Sequence, residues 1–360
     1  MPMTPARPPI VDDPQDLSPQ WLEAALGASG LDVRVAALRT EPVGTGQMAH
    51  NERLFVEYEG EAAEAPRTLV AKLPSPDETS RAAGGAGAYR TEVLFYTELA
   101  RALAIRTPAC FFGAVSEDAT RFTLLLEDLA PARQGDQIAG ASDAQIESAV
   151  VNLAGLHAPR WNDPALGEIE WLTLGASPVM AQFLRGATPA FLERYADRIP
   201  SADAEVLAAF AEGAERWVET QPEDRTLVHG DYRLDNLLFA SDEGGPEVAA
   251  VDWQTLSVGS GGRDLAYLLG NSSPPARRRA HEDHMLEVYR RAMSELGAEV
   301  TPEQVRHSYR HGCFQGPLIT ILGAIAVGRT ERGDEMFMAM TERCVAQIRD
   351  MDAIALIAGS

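Results

Sequence analysis

Five short runs occupy the first third of the chain: DVRVAALRT, RLFVEYEG, RTLVAKLP, ACFFGAVS and RFTLLLED. Each is rich in β-branched or aromatic residues and bounded by Gly, Pro or charged turns. That pattern predicts an antiparallel sheet of about five strands. Between the third and fourth runs, GAYRTEVLFYTELARAL has apolar positions at helical spacing and strong helix formers, so it is expected to lay one face on the sheet. Ahead of the sheet, a Pro-rich tail leads into SPQWLEAALG, a short helix with Ser18 as cap and Pro19 at its first position.

The period changes after Asp128. The polar stretch APARQGDQIAGAS reads as a linker, and the remainder of the chain is mainly helical. Ser142 with Gln145, and Thr301 with Gln304, form capping boxes ahead of helical segments. Strand-like pieces are embedded in this half, RTLVHGD with NLLFA, and EVAAVDW. The expectation is an α+β fold of two lobes. An N-terminal tail and short helix (1–30) precede a small lobe with an antiparallel sheet and one main helix (31–128). A hinge (129–141) then leads to a larger, mostly helical lobe (142–360).

Bulk properties narrow the function. A net charge of −22 on 360 residues repels nucleic-acid backbones and anionic membrane surfaces, so neither is an expected partner. Cys110, Cys313 and Cys344 lack zinc-site spacing and read as buried thiols in a reducing compartment. The N-terminus shows no secretory pattern, and the most apolar run, GPLITILGAIAVG, is too short for a bilayer. A cytoplasmic protein is expected; its oligomeric state is not readable.

The chemistry concentrates in HGDYRLDN and VDWQ, each at the end of an apolar strand-like run. Asp231, Asn236 and Asp252 offer two carboxylates and an amide, a donor set suited to Mg²⁺. An Asp five residues before an Asn, with a second Asp after the next strand, is the order found in kinase catalytic loops and metal sites. Such a site also needs a strand lysine and a helix glutamate. Lys72 in TLVAKLP and Glu92 in YRTEVLFYTELA fill those places. VGTGQ, with Gly44 and Gly46, lies between two strands where a turn could approach phosphates. LLLEDL, with Glu127 and Leu129, ends the small lobe.

With these motifs together, the chain resembles the aminoglycoside phosphotransferase and choline kinase superfamily, whose fold is protein-kinase-like. GTGQM, VAKLP, EVLFY, LLLEDL, LAGLHAPRW, LVHGDYRLDNLLF and VDWQT with GRDLAYLL most resemble its ecdysteroid-kinase-like branch. The resemblance implies an ATP-dependent kinase in which Asp231 accepts the proton of an attacking hydroxyl and Asn236 and Asp252 hold Mg²⁺. It further implies that Lys72, positioned by Glu92, contacts the α- and β-phosphates, that Gly44 and Gly46 cover them, and that the hinge at Glu127 and Leu129 meets adenine. Arg233 would steady the transferring phosphoryl group, His229 would shape the loop, and Asp264 would brace it. Asp235 has no role in this reading and is expected at the surface. The glycine turn lacks a protein kinase's third glycine, and Trp253 and Gln254 follow the metal Asp where protein kinases have Phe and Gly.

Only eleven residues separate Asp252 from Asp264, too few for a peptide-docking segment, so the acceptor is expected to be a small molecule. A hydrophobic alcohol, sterol-like or hydroxyacyl, is favoured over a cationic aminoglycoside- or choline-type acceptor. Two other classes stand beside this one: a nucleotide-binding pseudokinase, and a metal-dependent phosphohydrolase using His229, Asp231 and Asp252. Bland readings also remain. Lys72 could be an edge-strand lysine, Glu92 a solvated position, and His157 a packing residue. The His281 and His284 pair reads as surface.

Overall fold

The computed structural model describes residues 8–44, 49–60, 62, 65–78, 81 and 87–358. The expected strands form as β1 (Val35–Pro42), β2 (Ala49–Tyr58), β3 (Thr68–Pro74), β4 (Cys110–Val115) and β5 (Phe122–Glu127). They make one antiparallel sheet in the order β1-β2-β3-β5-β4. Side chains alternate across a strand, so Leu69, Ala71 and Leu73 of β3 fall on one face. There they join Leu22 and Leu26 of the helix Pro19–Ala28 in a hydrophobic core. Lys72 is left on the opposite face.

The segment expected to be a single helix has three geometries: α over Tyr89–Leu94, a wider π turn over Phe95–Leu99, and a tight turn over Ala100–Ala102. Within it, the Thr97 hydroxyl donates to the Val93 carbonyl at 2.9 Å, a local bond of the kind that loosens helices.

The remaining strands are short: β6 (Arg133–Gln134), β7 (Thr226–Val228), β8 (Leu237–Ser241), β9 (Gly244–Ala250) and β10 (Ser257–Gly259). They pair as β6-β8-β9 and β10-β7. Both expected capping boxes are present, ahead of the helices Asp143–His157 and Pro302–Gly312. The helix Gly262–Asn271 is buried along its whole length, Arg263 and Asp264 included. By its contacts the chain divides into two compact units. Met1–Ala102, Thr107–Ala130 and Asp252–Thr255 make up the first; Leu103–Arg106, Pro131–Val251 and Leu256–Ser360 make up the second. Among the described residues no helix is long and apolar enough to cross a membrane.

Candidate active site

The first unit gathers four of the polar groups singled out above. Lys72 sits in the central strand of the sheet, paired with Asn51 and Leu124, and is 8% exposed. The edge-strand reading of this lysine therefore fails. Its ammonium donates to Glu92 Oε1 at 2.6 Å and to Asp252 Oδ1 at 3.4 Å. Burial works against that charge, but the two carboxylates outweigh it and raise the lysine pKa. Glu92 is 1% exposed, which removes its solvated reading, and Gln254 Nε2 reaches its other oxygen at 3.4 Å. Trp253 stacks on Phe95 at 3.7 Å and its indole N–H donates to Thr107, which anchors the chain beside Asp252.

Asp252 itself has φ +66°, a left-handed conformation that Asp tolerates better than most residues. Gly44 has φ +80°, while Gly46 lies outside the described residues. Glu127 accepts from the Ala109 amide at 3.0 Å, and Leu129 is buried.

The second unit holds the loop after β7. Asp231 Oδ2 accepts from Asn236 Nδ2 at 2.8 Å, and its Oδ1 accepts from the Tyr267 hydroxyl at 3.0 Å and lies 3.1 Å from Arg233 Nε. Asn236 Nδ2 also donates to the Asp231 carbonyl at 2.9 Å, which turns its amide oxygen away from that carboxylate. Arg233 reaches on to Asp235 at 2.8 Å and to Met336 Sδ at 3.2 Å. Burial opposes the arginine charge, but Asp231, Tyr267 and Asp235 outweigh it and push its pKa up. Burial first, then the Asp231 charge, raises the Tyr267 phenol well above its ordinary value, so it stays a proton donor to Asp231.

The loop is shaped by groups behind it. Both oxygens of Asp264 accept main-chain N–H groups, from His229 at 2.6 Å and Gly230 at 2.9 Å, and His157 Nε2 lies 3.4 Å away. Burial would push the Asp264 carboxyl up, but the His157 and His229 rings and the Gly230 amide outweigh it and lower its pKa. His229 has both ring nitrogens engaged, Nδ1 with the Asp231 amide at 3.3 Å and Nε2 with the Val251 carbonyl at 3.1 Å. His157 is fully buried and also bonded to the Tyr289 hydroxyl at 2.7 Å. His281 and His284 are 43% and 59% exposed in their side chains, near Asp143 and Glu147.

Asp235 corrects the expectation of a surface residue: it is 7% exposed, and its carboxylate accepts from the Gln137 amide at 3.0 Å besides pairing with Arg233. Its burial comes from the same tight turn, Leu234–Asn236, that delivers Asn236. Three more supports have no role in the reading of the sequence motifs. Gln137 accepts from the Leu234 amide at 2.9 Å, Gln315 donates to the Gly230 carbonyl at 2.6 Å, and Tyr267 holds Asp231. Only Tyr267 has a sequence signal, since it lies one helical turn beyond Asp264 and shares its face.

Taken singly, Asp252, with 42% of its side chain exposed beside Lys72, and Asn236, whose side-chain nitrogen is committed to Asp231, carry oxygens of the kind a hard divalent cation takes. A hydroxyl-orienting carboxylate, oxygen donors and a buried cation are the parts that phosphoryl transfer requires. Residues 44–297 match the model of the phosphotransferase enzyme family. The chain belongs to that family. It is thus a phosphotransferase acting on a hydroxyl acceptor, a small-molecule kinase in kind.

Comparison with curated proteins finds no match. Among solved structures, the GDP complex of an aminoglycoside 2′-phosphotransferase-IIIa mutant is 13% identical, covering 92% of this chain and 98% of that one, with a TM-score of 0.53. An ethanolamine kinase from Plasmodium vivax is 12% identical over 88% of this chain and 85% of its own, at a TM-score of 0.51. The gentamicin complex of the aminoglycoside phosphotransferase APH(2″)-IIa is 15% identical over 91% and 98%, at 0.50. These likenesses establish the bilobal, protein-kinase-like fold expected from the sequence.

Proposed function

We propose that this phosphotransferase moves the γ-phosphoryl group of ATP to a hydroxyl of a small, hydrophobic acceptor. The observation that carries the ATP reading is the buried Lys72 ammonium, set between Glu92 at 2.6 Å and Asp252 at 3.4 Å. A phosphohydrolase has no use for that arrangement, and His229, with both ring nitrogens engaged, is poorly placed to be a metal ligand. In this reading Lys72 meets the α- and β-phosphates, Gly44 approaches them by backbone, and the segment at Glu127 and Leu129 offers main-chain groups to adenine. Mg²⁺ held by Asn236 and Asp252 would neutralise phosphate charge.

Asp231 orients the acceptor hydroxyl and takes its proton as the new P–O bond forms and the β–γ bridging bond of ATP breaks. Arg233, held against Asp231, offers its charge to the transferring group. The resemblance to the ecdysteroid-kinase-like branch supports an apolar acceptor. Asp231→Asn should lower turnover about 10²–10⁴-fold while nucleotide binding, measured by calorimetry with Mg²⁺ and ATP, is kept. Unchanged turnover would remove Asp231 from the mechanism; nucleotide binding without transfer to any hydroxyl compound would favour the pseudokinase reading.

A further inference from the structure

In the second unit the helices Pro178–Arg194 and Gln315–Ala326 pack together and leave a shallow, wide-open groove of about 460 Å³. Val179, Phe183 and Ala187, at successive intervals of four, line one wall, and Leu322, Ile325 and Ala326 line the other. Val179 is 60% exposed and Phe183 66%. Large apolar side chains left open together usually mark a binding site, and the volume suits a small molecule. Among the described residues no charged side chain lines the groove, and its one hydroxyl, Ser177, is engaged in capping its own helix at the Met180 amide.

One wall of the groove stands on a helix that also supports the Asp231 loop. The helix Gln315–Ala326 begins at the catalytic loop, where Gln315 holds the carbonyl of Gly230, the residue before Asp231. At 1.5 Å per residue, Leu322 and Ile325 lie about 10 and 15 Å further along its axis. Met336, touching Arg233 at 3.2 Å, adds an apolar group at the loop end.

We infer that the groove seats the apolar body of the acceptor while its hydroxyl meets Asp231. This rests on the kinase reading above and adds the acceptor's class: an alcohol with an extended apolar part. An aminoglycoside would bring ammonium groups to a surface with no carboxylate to receive them.

The test uses a long-chain primary alcohol carrying a terminal pyrene as both fluorescent ligand and acceptor. Wild-type protein should bind it and phosphorylate it, and Phe183→Asp should weaken binding about tenfold or more, as expected for losing one large apolar contact. Val179→Asp should act in the same direction. Both positions are exposed, so neither change disturbs the core, and Mg²⁺–ATP affinity serves as the control. Equal binding in wild type and both variants overturns the groove assignment, as does a dimer in sedimentation that Phe183→Asp dissolves, since a second copy would then be the occupant. ATP turnover that Asp231→Asn abolishes, alongside unchanged probe binding in the groove variants, would sink the groove and leave the kinase reading standing.

Discussion

The polar groups in the first unit are held by paired charges, whereas those in the second add to the Arg233 ion pairs a backbone pinned by side chains behind it. Lys72, Glu92 and Asp252 form a chain of formal charges in which each partner sets the other's position, with Gln254 as a neutral addition. Asp231 instead sits on a loop whose backbone is pinned by amides and by one buried carboxylate: Gln137 on Leu234, Gln315 on Gly230, and Asp264 on His229 and Gly230. The distinction sets how each region should fail. A charge chain fails when one charge is removed and its partner is left buried. A pinned loop fails when a backbone group loses its only partner.

Asp264→Ala gives the larger effect. It strips two buried main-chain N–H groups of their acceptor and leaves His157 facing a void, for a loss of about 3–5 kcal/mol of stability. Urea denaturation should show the lower midpoint, and a loss below about 1 kcal/mol would mean that the loop does not depend on this brace.

Lys72→Met comes next, at about 3 kcal/mol, because Glu92 is left uncompensated in the core. The double variant Lys72→Met with Glu92→Gln should recover most of that stability. Nucleotide affinity should stay low in both. If the double variant is no more stable than the single one, the pair is not coupled as its geometry implies.

The sheet, both capping boxes and the order of the charged motifs are legible in the chain because each rests on local spacing. Alternation in β3 separates Lys72 from Leu69, Ala71 and Leu73 within seven residues of sequence. The braces are not legible. Gln137 and Gln315 lie 97 and 85 residues from the main-chain groups they hold, and a glutamine carries no periodic signature of such a task. Asp235 escapes for the opposite reason. Its neighbours Asp231 and Asn236 absorb the chemistry of the motif and leave its charge without a task, whereas the turn that presents them requires a buried acceptor for the Gln137 amide and the Arg233 guanidinium.

Titration separates the two units at opposite ends of the pH scale. Lys72 has a raised pKa in the folded chain, so its contribution is complete below the ordinary lysine value of 10.5 and is lost as pH rises through the higher folded value. The second unit contains the reverse case. His311 accepts from the Trp217 indole N–H at Nδ1, 3.1 Å, and its Nε2 lies 3.1 Å from the Trp217 carbonyl, an arrangement that suits a neutral ring. Burial lowers its pKa from 6.5 to about 3. Between those values the unfolded chain binds the extra proton, so stability falls as pH falls below 6.5, by roughly 1.4 kcal/mol at pH 5.5. His311→Gln should flatten the acid limb in chemical denaturation between pH 7 and 5 and leave the alkaline limb as it is, while Lys72→Met should flatten the alkaline limb. Coincident acid limbs for wild type and His311→Gln would show that this ring titrates alike in the folded and unfolded chain, and that its contacts with Trp217 do not hold it neutral.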